Sequence, residues 1–337
     1  MINSELVWNR RSALLVTFCV LLCATLDASD GPEPTKVGAP ANVGCNAKPK
    51  RVKQLKIDKP GVYENYLVDG EWGDSTLVKI TANDVTLRNC EIRNGKHNAV
   101  TVYAKNVVIE SCKIHHVLAG TYSDQQDAHG ITGRPDNLII RDCDIGLTSG
   151  DSVQFDPGRG EWDNVLIERC TLWTGPLEAD AAGFKRGQRP GENAIDTKQQ
   201  VKHPRSKLTI RNCLMYGWNQ PGQMSNMAAL NLKNHIEATV EHCVLRDNEI
   251  CFRVRGGAGD RGGARVTIHN CAVYDSLVAV RAEDKIEDLK IKRLGFGDDV
   301  RRKFQAAGGG VGAGYEMVDE YSPPPYATVL RSGLPSP

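Results

Sequence analysis

A phrase of eight residues, VTLRNCEI at 85–92, returns along the chain as VVIESCKI (107–114), LIIRDCDI (138–145), VLIERCTL (165–172), LTIRNCLM (208–215), ATVEHCVL (238–245) and VTIHNCAV (266–273). An eighth copy, LKIKRLGF at 289–296, carries Leu294 where the others carry cysteine. Each copy opens with two apolar residues in period-two alternation, a short strand with one buried face. The three-residue step to the cysteine then requires a bend, after which the alternation resumes. The cysteines, at 90, 112, 143, 170, 213, 243 and 271, lie 22, 31, 27, 43, 30 and 28 residues apart. One bent strand pair per copy, at this period and with insertions of variable length, describes a solenoid whose coils share one core. The expected fold is all-β: a parallel β-helix of about eight or more turns, with a cysteine ladder inside.

Eleven cysteines would ordinarily suggest a disulfide framework. Seven of these hold one inward position. Stacked rungs are ~4.8 Å apart, close enough to bridge, yet the Cβ vectors of a stacked column run parallel. These seven are read as free thiols acting as small hydrophobes. Cys19 and Cys23 lie in the N-terminal apolar run, Cys45 and Cys251 stand outside the ladder, and no Cys-x-x-Cys pair offers a zinc site. The 33 glycines and only 6 phenylalanines suit tight turns around a narrow aliphatic core. A formal charge of +1 gives no global attraction to nucleic acid or an acidic membrane. Electrostatic recognition has to be local.

Arg10 and Arg11 precede a short apolar run ending in small residues near Ala28, so residues 1–28 read as a secretion leader. A secreted or periplasmic protein, free of the membrane once the leader is cleaved and monomeric, is the expectation. Residues 29–51 read as a linker or N-terminal cap, 52–296 as the β-helix, and 297–337, rich in Gly and Pro, as a C-terminal tail.

Between the cysteine copies runs a second repeated strand: AVTVY (99–103), GITGR (130–134), SVQFD (152–156), AIDTK (194–198), ALNLK (229–233), CFRVR (251–255) and AVRAE (279–283). Its apolar residues point inward, leaving two variable positions per rung expected to face solvent. The first column reads Thr101, Thr132, Gln154, Asp196, Asn231, Arg253, Arg281; the second reads Tyr103, Arg134, Asp156, Lys198, Lys233, Arg255, Glu283. The face passes from acids and amides to Lys and then to Arg, and the longest insertions (173–191, 199–207, 216–228, 255–264) surround its middle rungs. Loops lengthened around one patch of a regular scaffold usually build a binding groove.

Acids beside amines and guanidiniums suit β-elimination on a polyuronate. That reaction removes a weakly acidic proton beside a carboxylate, stabilises enolate-like charge and expels the O4 oxygen. Lys233 and Lys198 are candidate bases, usable near neutral pH if like-charge repulsion depresses them, while neighbouring acids act the other way. Arg253 and Arg255 are candidates for stabilising charge. Asp151, Glu192, Asn193 and Asp196 offer oxygen ligands, which favour Ca²⁺ over zinc. Gln154, Asn231, His129 and Trp218 are candidate substrate contacts. An adhesin or other sugar-binding solenoid is the non-enzymatic alternative, with Trp162, Trp173 and Trp218 as its aromatic platform.

The repeat, over residues 52–296, resembles the right-handed parallel β-helix superfamily of pectate lyases, polygalacturonases and alginate or chondroitin lyases. GENAIDTK (191–198) is similar to the calcium-binding acidic stretch of the family-nine pectate lyases, with Glu192, Asn193 and Asp196 at its three ligand positions. The resemblance implies that Asp151 completes a calcium site and that a lysine one turn later, near Asn231 and Lys233, is the base. This sequence departs from the pattern in having Asn at the second ligand position and in a lysine displaced by two residues, which keeps the same face. Polygalacturonase-type hydrolysis would need an adjacent aspartate pair, and the stripe has none. A C5-epimerase shares the proton-abstraction step.

Overall fold

The bend in each cysteine phrase is made by the residue just before the cysteine. The computed structural model describes residues 36–156, 158, 160–220, 224, 227–257, 261–307, 315–317 and 319–334. In it Asn89, Ser111, Asp142, Arg169, Asn212, His242, Asn270 and Arg293 all take φ between 48° and 58°. That left-handed conformation costs an L residue ~1–2 kcal/mol, and Asn and Asp tolerate it best. It folds one strand (Val85–Arg88) sharply into the next (Glu91–Gly95) while keeping the apolar residues of both inside.

Coils then stack in strict register. The N–H groups of Lys113, Asp144, Thr171, Leu214, Val244 and Ala272 donate to the carbonyls of Cys90, Cys112, Cys143, Cys170, Cys213 and Cys243. All seven cysteines of the phrase are fully buried and none forms a disulfide. Leu294 pairs with Cys271, so the eighth copy does continue the column. A second left-handed corner carries an amide ladder: Asn106 donates to Asp84, Asn137 to Asn106 and Asn164 to Asn137, at 2.8 to 3.2 Å.

The variable strands form a sheet of their own, ten parallel strands among the described residues, from Leu55–Ile57 to Arg302–Ala307. Its register aligns Thr101, Thr132, Gln154, Asp196, Asn231, Arg253 and Arg281 as one column. Lys79 precedes this column and Gln305 extends it. The column does not face open solvent, contrary to expectation: Thr132 is fully buried, and Thr101, Gln154, Asp196, Asn231 and Arg253 are nearly so. Long neighbours fold over it and pair with it, as described below.

The two ends are built onto the coils. Residues 36–49, within the stretch read as a linker or N-terminal cap, form a strap across the outside of the coils. The N–H of Gly38 donates to Asn212, of Ala39 to the Thr171 hydroxyl, of Gly44 to Ser111 and of Asn46 to Asn65. Past residue 297 the regular structure continues: Arg302–Ala307 pairs in register with Val278–Glu283. A short helix, Tyr326–Ser332, then buries Val329 in an apolar cluster with Leu214, Val244, Ala272 and Tyr274, which Val37 of the strap joins. No described helix is long and apolar enough to cross a membrane. The leader reading, residues 1–28, lies outside the described residues.

Candidate functional site

The middle of the variable face is an ion-pair stripe. Asp196, on Asn193–Thr197, is nine-tenths buried and held by two ammonium groups, Lys233 at 2.8 Å and Lys198 at 3.7 Å. Lys198 also reaches Asp156 at 2.6 Å, so one rung's lysine bridges two acids. Burial pulls the Lys198 ammonium down, but Asp196 and Asp156 together outweigh it and hold the pKa above the ordinary lysine value. The competition between carboxylates and like-charge repulsion is therefore won by the carboxylates at Lys198. Burial pushes Asp156 up, yet hydrogen bonds from Lys198 and the Gly158 N–H bring it below the usual carboxylate range.

The arginines are organised around a different acid. Glu283 receives Arg253 at 2.9 and 3.0 Å, Arg255 at 2.9 Å and Arg281 at 2.6 Å. Arg255 also reaches Asp284 at 3.3 Å. Lys198 and Lys233 thus converge on one carboxylate, while Arg253 and Arg255 converge on the next acid along. Asn231 stands between the two clusters in register with Asp196 and Arg253, its Oδ1 buried without a hydrogen bond among the described residues.

Beneath the stripe lies a fully buried carboxyl, Asp151. It accepts from the Asn193 amide at 2.7 Å and the Gln154 amide at 3.1 Å. Burial pushes it well above the usual carboxylate range, and Asp196 and Glu192 add to the rise. Glu192 is raised as well, by burial first and then by Asp127 and Asp196. His129 is fully buried and accepts the Asp151 N–H on Nδ1 at 3.0 Å, which makes it a scaffold group and not a substrate contact. Gln154 is likewise committed to Asp151. Trp218, 1% exposed, offers no ring face to a sugar. Trp162 is equally covered, and Trp173 lies on the cysteine side, stacked on Tyr216, so none of the three tryptophans expected as an aromatic platform lies open on this face.

The proposed calcium ligands do not fit a cation as they are arranged. Alternation along Asn193–Thr197 puts Asn193 on the Ile195 side, opposite Asp196, and its amide nitrogen is spent on Asp151. Both Asp196 oxygens face ammonium groups, and each Asp151 oxygen accepts from an amide. Among the described residues no three His, Cys, Asp or Glu side chains converge to hold a metal ion. Hard cations take six to eight oxygens; here lysines stand where such oxygens would have to gather.

Two grooves flank this stripe and share Gln199. One, of about 470 Å³, is walled by Tyr103, Arg134, Glu161, Asp163 and His203, with buried Trp162 beneath; the other, of about 540 Å³, by Lys198, Gln200, Lys202, Asn234 and Arg261. Tyr103 and Arg134 stood in the second variable column, so their signal was present in the sequence. Lys202 and Arg261 sit in insertions whose path no periodicity reveals.

Residues 76–180 match the family model described as a right handed beta helix region. No curated protein sequence matches the chain. Among solved structures, a pectate lyase, Pel9A, shares 12% identity over 83% of this chain and 68% of its own, with a TM-score of 0.46. An alginate lyase from Paenibacillus sp. shares 15% over 80% and 94%, also at 0.46. A Streptococcus pneumoniae surface protein and adhesin, PfbA, shares 9% over 79% and 91%, at 0.31. Likeness at this level concerns the fold and leaves activity open. The chain is a parallel β-helix, and its residues 76–180 match the right handed beta helix region.

Proposed function

We propose that this protein is a secreted, monomeric polysaccharide lyase that cleaves a uronate-containing polymer by β-elimination. The observation that carries the reading is the shared carboxylate: Lys198 and Lys233, from adjacent rungs, converge on buried Asp196 beside the unpartnered Asn231 carbonyl. A face that served only solubility would have no use for two cations desolvated around one acid.

In this reading Lys198, held protonated, neutralises the substrate carboxylate and so acidifies the proton beside it. Lys233 is the base that takes this proton from C5; the electron pair left behind forms the C4–C5 double bond as the C4–O4 bond breaks, and the departing O4 oxygen is protonated by water. Asn231 donates to the developing enolate-like charge through its amide. Arg253 and Arg255 act through the Glu283 cluster, setting a positive potential along the groove rather than touching the reacting atoms. No step is assigned to calcium, because three of the four candidate ligands, Asp151, Asn193 and Asp196, are engaged by amides, by one another or by lysines.

The test is the absorbance of the unsaturated uronide product, with pectate, alginate and glycosaminoglycans offered in turn. Lys233→Ala is expected to lower the rate by ~100-fold or more, within the range of general-base catalysis. Lys198→Ala is expected to lower kcat as well as raise KM, and a chelator to leave the rate unchanged. New reducing ends without absorbance would replace the lyase by a hydrolase. The leader is checked by N-terminal sequencing of the exported protein, which should begin near residue 29.

A further inference from the structure

The two grooves beside the stripe differ in charge, and that difference bears on the substrate. This inference rests on the carbohydrate reading above but not on its elimination chemistry. The groove beginning at Lys198 is lined by three cations, Lys198, Lys202 and Arg261, with amides and no carboxylate. Lys198 is already paired with Asp156 at 2.6 Å, whereas among the described residues Lys202 and Arg261 form no ion pair and leave the groove with a net positive charge. Its neighbour has two cations, Lys105 and Arg134, against three carboxylates, Asp136, Glu161 and Asp163. Lys105 is already paired with Asp136 at 2.9 Å, and Glu161 with His203 at 2.6 Å.

A basic groove without acids suits an anionic sugar. A groove of mixed sign, with more acids than bases, repels a carboxylate but suits hydroxyls, which donate to Glu161 and Asp163 and accept from Arg134. Its wall includes Tyr103, half-buried, with the Arg134 guanidinium 5.5 Å from the ring centre. Lys79 also lies over this ring, 5.9 Å from its centre, so Tyr103 fixes the cations that hydrogen-bond a neutral sugar's hydroxyls. The grooves are also fastened to each other. Trp162, under the mixed groove, donates its indole N–H to the Lys198 carbonyl at 3.0 Å, and Gln199 lines both.

We propose that the two grooves are adjoining subsites, the basic one for a uronate and the Tyr103–Arg134 one for an uncharged sugar. The substrate class is then a heteropolysaccharide in which acidic and neutral units are neighbours, rather than a homopolymer of uronates.

Isothermal titration of the full exported protein tests this with two tetrasaccharides of equal length. One alternates glucuronate with N-acetylglucosamine; the other is all galacturonate. The alternating ligand is expected to bind about tenfold more tightly. Tyr103→Ala should erase that preference while leaving galacturonate affinity unchanged, and Arg261→Gln should weaken both ligands by a similar factor. Circular dichroism confirms that each variant is folded. Equal affinity for the two ligands, no binding of the alternating one, or an equal loss of both in Tyr103→Ala would overturn the proposal. Binding with this pattern but no unsaturated product would sink the lyase reading and leave the subsite division standing.

Discussion

Asp151 shows how a single residue can be misread from its type. In the sequence it is an acid one rung before Asp196, a natural metal ligand. In the fold it is sealed beneath the stripe, with two amides on its oxygens, and its pKa is raised by burial and by Asp196 and Glu192. The linkage follows directly. Above the ordinary aspartate value the unfolded chain releases this proton while the folded chain retains it, so stability declines as pH rises toward the raised folded value. Asp151→Asn removes that decline. Its melting temperature relative to the unsubstituted protein should therefore improve progressively from pH 4 upward; a constant offset across pH would refute the assignment. His115 works in the other direction. Burial, then repulsion from His116, lowers its pKa to about 4. The unfolded chain takes up this proton below about 6.5, the folded chain only near 4, so stability is lost as pH falls between the two. At ~1.4 kcal/mol per unit the loss reaches about 3 kcal/mol. His115→Gln should flatten that acid limb in urea titrations run from pH 7 to 4.

At the scale of one coil, the recurring element is the left-handed residue that precedes each cysteine. Its chemistry varies from Asn to Arg while its φ hardly changes, so backbone geometry and not side-chain pairing sets the corner. Ser111, at φ 53°, makes no side-chain hydrogen bond there among the described residues and isolates the backbone contribution. Ser111→Gly is expected to stabilise by ~0.5–1 kcal/mol and Ser111→Val to destabilise by ~1–2 kcal/mol. Urea unfolding midpoints separate the two signs. This corner also explains what the sequence made legible. The period-two pattern, the three-residue step and the cysteine are local signals, and together they give strands, register and the column from Thr101 to Arg281. What they cannot give is the far partner of a charged side chain. Lys198 choosing Asp156, or three arginines choosing Glu283, depends on side-chain reach across rungs and on loop cover. Burial of His129 and Trp218 has the same origin: insertions close over the face, and their path carries no periodicity.

Over the whole molecule, the solenoid adds coils without adding long-range contacts between distant ones, so its stability is close to a sum of neighbour terms. The two ends are the exception. The strap of residues 36–49 runs across several coils, and Val37 meets the Tyr326–Ser332 helix over Leu214, Val244 and Ala272. These contacts tie coils that otherwise touch only their immediate neighbours, which should make unfolding more cooperative than a bare stack allows. The buried thiols report on this without a label in the core. All seven cysteines of the phrase are fully buried and unpaired, whereas Cys45 on the strap is only partly covered. Reductant is expected to leave the melting temperature unchanged. Cys45 should react first with a thiol reagent and the ladder together, on global unfolding. Val329→Asp buries a charge in the clasp and should cost ~3 kcal/mol or more. Its more telling effect is on order: with the clasp open, Cys243 and Cys271 in the terminal coils should become reactive before Cys143 and Cys170 in the middle. Simultaneous reaction in both proteins would mean that the coils hold one another without help from the ends.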